Sequence, residues 1–351
     1  MTIGIYTPYR NTLGGGEQYL FTIASCLLAN NHRVIFYSET DLIVKAAEKR
    51  FGLSLDKLII QPPIFEQGTF LQKIHATKSL DVLFYCSDGS LPVSFASRTY
   101  VLFQFPVPWV RGISFTNQLK MKKITSLFCY SQFVKEYLDT TFKTKSIIVP
   151  PAIRVEDYIV GSKEKLILTV GRFTNAMNMK RQDVMIQTFK TLIDQGLRDW
   201  RFVLAGGTMT EETEYVAQLT KQAQGYPIEI QSNIERKNLL ELYSHAAIYW
   251  HAAGYGVDIS KNPQLVEHFG ITTLEAMASE AIPIVFPAGG QKEIVTDTIN
   301  GFYWKTIEEL IEKTTYIIEG KQTNEVRENC KKSAAAYDRK QFCSKINQLV
   351  I

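Results

Sequence analysis

Short apolar runs alternate along almost the whole chain with stretches in which apolar positions return every three or four residues. Runs at 3–7, 34–37, 58–60, 82–85, 100–103, 127–130 and 146–149 read as strands, with helical stretches between several of them. The clearest helix spans 17–29 and carries Leu20, Ile23, Ala24, Leu27 and Leu28 on one face. At Pro150-Pro151 the alternation stops, because no helix continues through two prolines. A polar segment to about residue 165 follows, and then the pattern restarts. It predicts strands at 166–170, 200–205, 228–230, 248–251 and 282–286, with helices at 181–194 and 211–223. Residues 339–351 form a last helix, with Phe342, Ile346, Leu349 and Val350 on its apolar face. Strand–helix alternation of this kind predicts an α/β chain of parallel sheets covered by helices.

Length sharpens this into two domains, because 351 residues exceed what one hydrophobic core usually supports. The boundary is expected between 150 and 165. At 45% hydrophobic and 21% charged, the composition is that of an ordinary enzyme, and a net charge of +4 does not by itself imply nucleic acid. Five cysteines, Cys26, Cys86, Cys129, Cys330 and Cys343, include no C-x-x-C pair and are expected to be reduced thiols of a cytoplasmic protein. Met1 leads straight into a strand and no apolar run approaches membrane-spanning length, so neither a secretory leader nor a transmembrane helix is expected.

The chemistry concentrates in residues 250–275. There Trp250-His251-Ala252-Ala253-Gly254-Tyr255-Gly256 leaves a strand, a polar loop follows, and Glu267-His268-Phe269-Gly270-Ile271-Thr272-Thr273-Leu274-Glu275 enters a helix. A helix start offers unpaired N–H groups and the positive end of a dipole, which suits an anion. Glu275, a turn further on, is placed to accept hydrogen bonds from hydroxyls of the same ligand. Phosphate at the helix tip and a diol beside it is what a nucleotide requires. His251, at a strand end, is slightly better explained as a packed structural residue than as a ligand contact. It and His268 lack ligand spacing with Asp or Cys, so no metal site is expected.

Three other segments end strands with glycine. Leu13-Gly14-Gly15-Gly16-Glu17 opens a helix and lets backbone approach a ligand, although it is not G-x-G-x-x-G and a flexible turn explains it equally. Gly171-Arg172-Phe173 sits where open parallel sheets bind ligands, and Lys180 follows at the start of the next helix. Arg172 and Lys180 could clamp a diphosphate, one as a fork and one as a point charge. A solvated basic loop is the alternative, but the 267–275 stretch favours the clamp. Ala205-Gly206-Gly207 needs no more than a tight turn. Between Arg98 and Arg154 there are nine Lys or Arg against two acids, Glu136 and Asp139. Within that segment 115–124 mixes apolar and basic positions, suiting anionic lipid headgroups, an acidic acceptor or plain solvent.

Taken together, the glycine turn at Gly15-Gly16-Glu17, Tyr130-Ser131-Gln132-Phe133, Gly171-Arg172-Phe173 with Lys180, and the E-x7-E pair Glu267 and Glu275 resemble the retaining nucleotide-sugar glycosyltransferases of family 4. The 250–275 region is especially similar to dolichol-linked α-1,2-mannosyltransferases and their bacterial relatives. The resemblance covers essentially the whole chain. It implies the GT-B fold of two facing Rossmann-like domains with a cleft between them. An acceptor domain would span 1–155, a donor domain 156–338, and a helix at 339–351 would cross back to the first domain. It also implies that Arg172 and Lys180 hold the donor diphosphate and that Gly15 and Gly16 approach it from the first domain. Backbone of Phe269, Gly270, Ile271 and Thr272 would reach the sugar and phosphate, with His251 nearby. Glu275 would bind the ribose and Glu267 would lie beside the transferred sugar. The catalytic set is therefore Glu267, Arg172 and Lys180, and the acceptor side is placed at Asp88 and Gln104.

One departure concerns Gln104-Phe105-Pro106, where relatives often carry His-(Phe/Tyr)-Pro; a glutamine there hydrogen-bonds but exchanges no proton. The expected activity is metal-independent, cofactor-free, retaining transfer of a hexose to a glycan or lipid-linked glycan, with GDP-mannose favoured and UDP-sugars second. Peripheral contact with the cytoplasmic face of an anionic membrane accompanies it. The alternatives are a nucleotide-sugar epimerase, which needs no acceptor, and a non-catalytic binding module. An NAD oxidoreductase is weaker, since no G-x-G-x-x-G follows either first strand.

Overall fold

The computed structural model describes residues 1–9, 14–175, 179–321 and 323–351; Leu13, the first residue of the glycine turn, lies outside them. The chain divides into two compact units, residues 1–151 with 340–351, and residues 152–339. The division falls a few residues before 155 because Ile153 belongs to the second unit. Its N–H donates to the Tyr337 carbonyl (3.0 Å), and its carbonyl accepts from the Arg339 N–H (3.0 Å).

Unit 1 runs β1 (Thr2–Tyr6), α1 (Gly15–Ala29), β2 (Arg33–Tyr37), α2 (Leu42–Phe51), β3 (Ile59–Gln61), α3 (Ile64–Gln67), α4 (Phe70–Lys78), β4 (Val82–Cys86), β5 (Arg98–Phe103), α5 (Phe115–Met121), β6 (Ser126–Cys129), α6 (Gln132–Phe142) and β7 (Ile147–Ile148). Its strands form one parallel sheet in the order β3-β2-β1-β4-β5-β6-β7. The path steps outward from β1 to β3 and then returns to run the other way. Right-handed crossovers therefore put α1 and α2 on one face of the sheet and α4, α5 and α6 on the other. Strands covered on both faces bury every position, as in β4, where all five residues are buried.

Unit 2 runs β8 (Glu164–Val170), α7 (Gln182–Asp194), β9 (Arg201–Gly206), α8 (Thr213–Ala223), β10 (Ile228–Ser232), α9 (Arg236–His245), β11 (Ala246–His251), α10 (Ile271–Ala278), β12 (Ile282–Val285), α11 (Gln291–Ile294), β13 (Phe302–Tyr303), α12 (Ile307–Ile318) and α13 (Thr323–Ala335). Its parallel sheet has the order β10-β9-β8-β11-β12-β13. The two sheets are the paired Rossmann-like units that the GT-B resemblance implies. Strand β13, only two residues long, carries too little pattern to be read from sequence.

The last helix, α14 (Arg339–Val350), packs on unit 1. Phe342 meets the Tyr19 ring edge-on at 5.2 Å. The Tyr100 hydroxyl donates to the Leu349 carbonyl (2.8 Å), and Arg98 donates to the carbonyls of Val350 (2.6 Å) and Ile351 (2.7 Å). Here one expectation is overturned. Cys26 on α1 and Cys343 on α14 form a disulfide, with Cα atoms 5.2 Å apart, while Cys86, Cys129 and Cys330 are buried thiols outside any disulfide. The pair lies 317 residues apart, so only the return of α14 brings it together, and spacing rules cannot detect it. Replacing both cysteines by serine is expected to destabilise unit 1 by about 2–4 kcal/mol. Thermal unfolding of this variant against the oxidised protein measures that. Equal midpoints would mean that packing alone holds the tail.

Candidate active site

In unit 2 the strand order reverses between β8 and β11, so the crevice where open α/β sheets take ligands lies beyond the carboxyl ends of these two strands. Gly171 and Arg172 follow β8, and His251 ends β11. Glycine is required at 171 because a Cβ there would come within 2.7 Å of Lys180 Cγ; its absence lets the lysine lie across the strand end. Gly206, which the sequence suggested was only a tight turn, has a sharper reason. A Cβ at that position would sit 1.9 Å from the Gly171 carbonyl oxygen.

Lys180 Nζ reaches Glu267 Oε2 at 2.5 Å, and His251 Nε2 reaches the same oxygen at 3.1 Å. Three residues flagged separately in the sequence thus form one constellation. Burial pushes the Glu267 carboxyl up, but the charge of Lys180 and the bond from His251 outweigh it and hold it well below the usual range. Burial lowers the His251 pKa, which favours the neutral ring. A neutral His251 donates from Nε2 to the carboxylate and leaves Nδ1, buried and without a hydrogen-bond partner among the described residues, as a bare acceptor. Arg172 is set differently. Its side chain is 40% exposed, and Nε lies 4.0 Å from Glu212 Oε1. Two cations therefore flank one strand end, one ion-paired inside the site and one at its rim.

The backbone of the motif is held from two sides. Gly290 N–H donates to the Glu267 carbonyl (2.9 Å), and a Cβ on Gly289 would meet that oxygen at 2.0 Å. These two glycines after β12 were missed, although a glycine pair after a strand was the available signal. From the other side Arg181 donates to the Tyr255 carbonyl (2.7 Å), pinning the loop that follows β11. Gly270 then caps α10 with φ +115, where a Cβ would also strike Gln291 Nε2 at 2.6 Å. Thr273 N–H bonds back to the Gly270 carbonyl (3.1 Å), while the N–H groups of Ile271 and Thr272 open the helix, ahead of any intrahelical acceptor. Phe269 is buried, and the Thr272 hydroxyl accepts from Tyr249 (2.8 Å).

Glu275 is also buried, and neither of its oxygens is bare. Tyr158 donates to Oε1 at 2.6 Å and Tyr243 to Oε2 at 2.8 Å. Burial raises its pKa although both hydroxyl bonds oppose that. Each carboxylate oxygen retains a second lone pair, so the two tyrosines fix the group while leaving acceptor capacity for a diol. Nothing in the sequence marks Tyr158 or Tyr243, which lie 117 and 32 residues from their partner.

Unit 1 reverses strand order between β1 and β4, and the remaining site residues gather at that end of its sheet. Gly15 and Gly16 begin α1, and Glu17 folds back to accept from the Gly14 N–H (2.7 Å). The Gln104 amide lies against Gly16, where a Cβ would come within 2.2 Å of its oxygen, and donates to Cys86 Sγ (3.1 Å). Burial pushes that thiol up to about 12, so it is a thiol and not a thiolate. Asp88 is exposed and accepts from the backbone and hydroxyl of Ser90. Ser131 caps α6, accepting from Val134 N–H (3.3 Å), which gives Tyr130-Ser131-Gln132-Phe133 a structural role.

Residues 155–337 match the family described as Glycosyl transferases group 1. The chain is 23% identical over 255 residues, 65% of its length, to the alpha-1,3/1,6-mannosyltransferase ALG2 of Homo sapiens, of which it spans only 56%. It is also 23% identical to the GDP-Man:Man(3)GlcNAc(2)-PP-Dol alpha-1,2-mannosyltransferase of Caenorhabditis elegans, covering 97% of this chain and 89% of that one. Among solved structures, a glycosyltransferase from Rickettsia africae superposes with TM-score 0.78 at 18% identity, covering 99% of this chain and 97% of the other. Anabaena HepE in complex with UDP and glucose gives TM-score 0.73 at 15% identity, covering 100% and 99%.

Proposed function

The chain belongs to the glycosyl transferases group 1 family, and from that premise we propose that it moves a hexose from a nucleotide diphosphate sugar to a lipid-linked glycan with retention of anomeric configuration. Mannose is the favoured sugar and GDP-mannose the favoured donor, ahead of UDP-linked sugars. The name of the Caenorhabditis elegans relative, which pairs GDP-Man with a dolichol-linked glycan, supports that order. The observation that carries the reading is the convergence of Lys180, His251 and Glu267 on one point at the start of α10, with Glu275 fixed one turn further on.

The chemistry follows from where charge develops. As the bond between the anomeric carbon and the diphosphate oxygen breaks, its electron pair goes to the leaving phosphate. The acceptor hydroxyl oxygen bonds to the anomeric carbon on the same face, and its proton passes to the departing phosphate oxygen. Arg172, Lys180 and the N–H groups opening α10 are suited to stabilise that phosphate, at about 2.7–4 kcal/mol per well-placed donor by analogy with oxyanion holes. Engaging the phosphate requires Lys180 to share its charge between Glu267 and the donor. Glu267 is then left beside the sugar as a carboxylate, suited to positive character at the anomeric carbon. Glu275, held by its two tyrosines, would accept from the ribose.

A thermal-shift comparison of nucleotide sugars tests the donor. GDP-mannose at a hundred times its dissociation constant is expected to add about 2.7 kcal/mol of stability. With all donors at one common concentration, a larger shift with a UDP-sugar would reassign the base. Transfer is expected to survive a chelator, and the product is expected to keep the donor's anomeric configuration. Full loss of activity with chelator, restored by manganese, would refute metal independence, and an inverted product would refute retention.

A further inference from the structure

Where the chain enters α7, three consecutive residues reach three different parts of unit 2. Lys180 meets Glu267, Arg181 donates to the Tyr255 carbonyl (2.7 Å), and Gln182 Nε2 donates to the Arg172 carbonyl (3.1 Å). The turn between them is made at Arg181, whose φ of +53 lies in the left-handed region that a side chain rarely adopts. Such a conformation persists only where its surroundings hold it, and it collects at sites whose geometry matters. We propose that Arg181 is a positioning residue: it ties the loop carrying Lys180 to the loop leading to Glu267, and so sets where the ammonium stands against the carboxylate. This role deepens the transfer reading and rests on it for its purpose.

The guanidinium is engaged on the protein itself. Nε and Nη2 form a fork on the two oxygens of Asp183 (3.2 Å each), and Nη1 takes the Tyr255 carbonyl. Its central carbon also lies 5.7 Å from the centre of the Tyr255 ring. Gly256 leaves room for it, since a Cβ there would come within 3.2 Å of Nη1. With its fork, a further donor and its face all on protein, Arg181 is not a third clamp for phosphate.

Tyr255 passes the constraint on. Its ring packs on Trp304 (centroids 5.0 Å) and edge-on against Phe286 (5.6 Å). Trp304, wholly buried, donates Nε1 to the His251 carbonyl (3.1 Å). His251 donates to Glu267, Glu267 holds Lys180, and Lys180 is joined to Arg181 along the chain. The contacts therefore close into a ring through Arg181, Tyr255, Trp304, His251, Glu267 and Lys180. Within it, Lys180–Glu267 and Arg181–Tyr255 are cross-links between the same two loops. Opening the second leaves the first to hold those loops alone, and the ammonium is no longer kept in one place.

Arg181→Gly separates the guanidinium from the backbone turn, because glycine takes a positive φ freely. The variant is expected to unfold near the wild-type temperature and to keep the thermal shift produced by GDP-mannose. Its kcat should fall roughly tenfold to a hundredfold, the larger figure being the loss that an ångström of misplacement brings, with KM little changed. Guanidinium chloride at millimolar concentration should restore part of that turnover and leave the wild type unaffected. Arg181→Lys keeps the charge but cannot bridge Asp183 and the Tyr255 carbonyl together, so it should lose turnover too, and it carries the test if the glycine variant does not fold. The apo chain gives a readout free of transfer, the NMR signal of the Glu267 carboxyl carbon, assigned by its absence in Glu267→Gln. Burial pushes that carboxyl up and the charge of Lys180 is the main force holding it down, so it should titrate at higher pH in Arg181→Gly than in the wild type. The other groups facing it, His251, His268 and Tyr249, are the same in both proteins. Wild-type kcat in either variant, a lost donor shift in Arg181→Gly, no rescue by guanidinium, or an unmoved Glu267 titration would each overturn the role. A titration that moves while the wild type transfers from no donor would remove the transfer reading and leave the positioning; transfer by the wild type with an unmoved titration would do the reverse.

Discussion

Lys180→Ala is expected to lower turnover by about two to three orders of magnitude, the loss seen when one preorganised donor is removed from a developing oxyanion. The lysine has two tasks in the structure, and a double-mutant cycle separates them. It holds Glu267 as a carboxylate against burial, and it sits across Gly171 at the strand end where the diphosphate is proposed. Without the ammonium, burial is opposed only by His251, so the Glu267 carboxyl rises and takes a proton more readily. Glu267→Gln should therefore cost much less in the Lys180→Ala background than in the wild type, because residues joined in one network do not contribute independently. Fully additive losses would show that the lysine acts on the phosphate alone. Wild-type turnover in Lys180→Ala would remove it from the site.

The second large effect is expected at Glu275. Glu275→Ala strands the hydroxyls of Tyr158 and Tyr243 in a buried place, at about 1–3 kcal/mol each. The apo protein should therefore lose on the order of 2–6 kcal/mol, the sum over two unsatisfied groups. Glu275→Gln separates structure from binding. Its amide oxygen still accepts one tyrosine bond, and its NH2 can donate to the other hydroxyl once that rotates. The glutamine variant should unfold near the wild-type temperature yet lose most of the thermal shift produced by GDP-mannose. If the shift survives intact, the carboxylate serves the fold alone and the ribose is held elsewhere.

These two residues also show how far the sequence can be read. Parallel strands buried on both faces leave uninterrupted apolar runs, so β8 and β11 were visible, and with them the positions of Arg172 and His251. The glutamates of the helix start stood out because their spacing is local. What stayed hidden was non-local pairing. Lys180 meets Glu267 across 87 residues, and Tyr158 meets Glu275 across 117. The sequence marked Lys180 as a cation for phosphate; the fold adds that the same cation already has a carboxylate. Gln104 is similar. It was noted as the place of an absent histidine, and the structure gives it a contact the sequence could not, with its amide against Gly16 and its N–H on Cys86.

The disulfide between α1 and α14 bears on how the molecule is made. Unit 1 is discontinuous, with residues 340–351 supplied only after all of unit 2 has been translated. A ribosome-bound chain that has emitted residues 1–151 lacks Phe342, Ile346 and the partner of Cys26, so the α1 face waits with Tyr19 and Tyr100 uncovered. Vectorial synthesis thus completes the second unit before the first. The uncovered α1 face is then the surface of the nascent chain on which a chaperone has the longest opportunity to act.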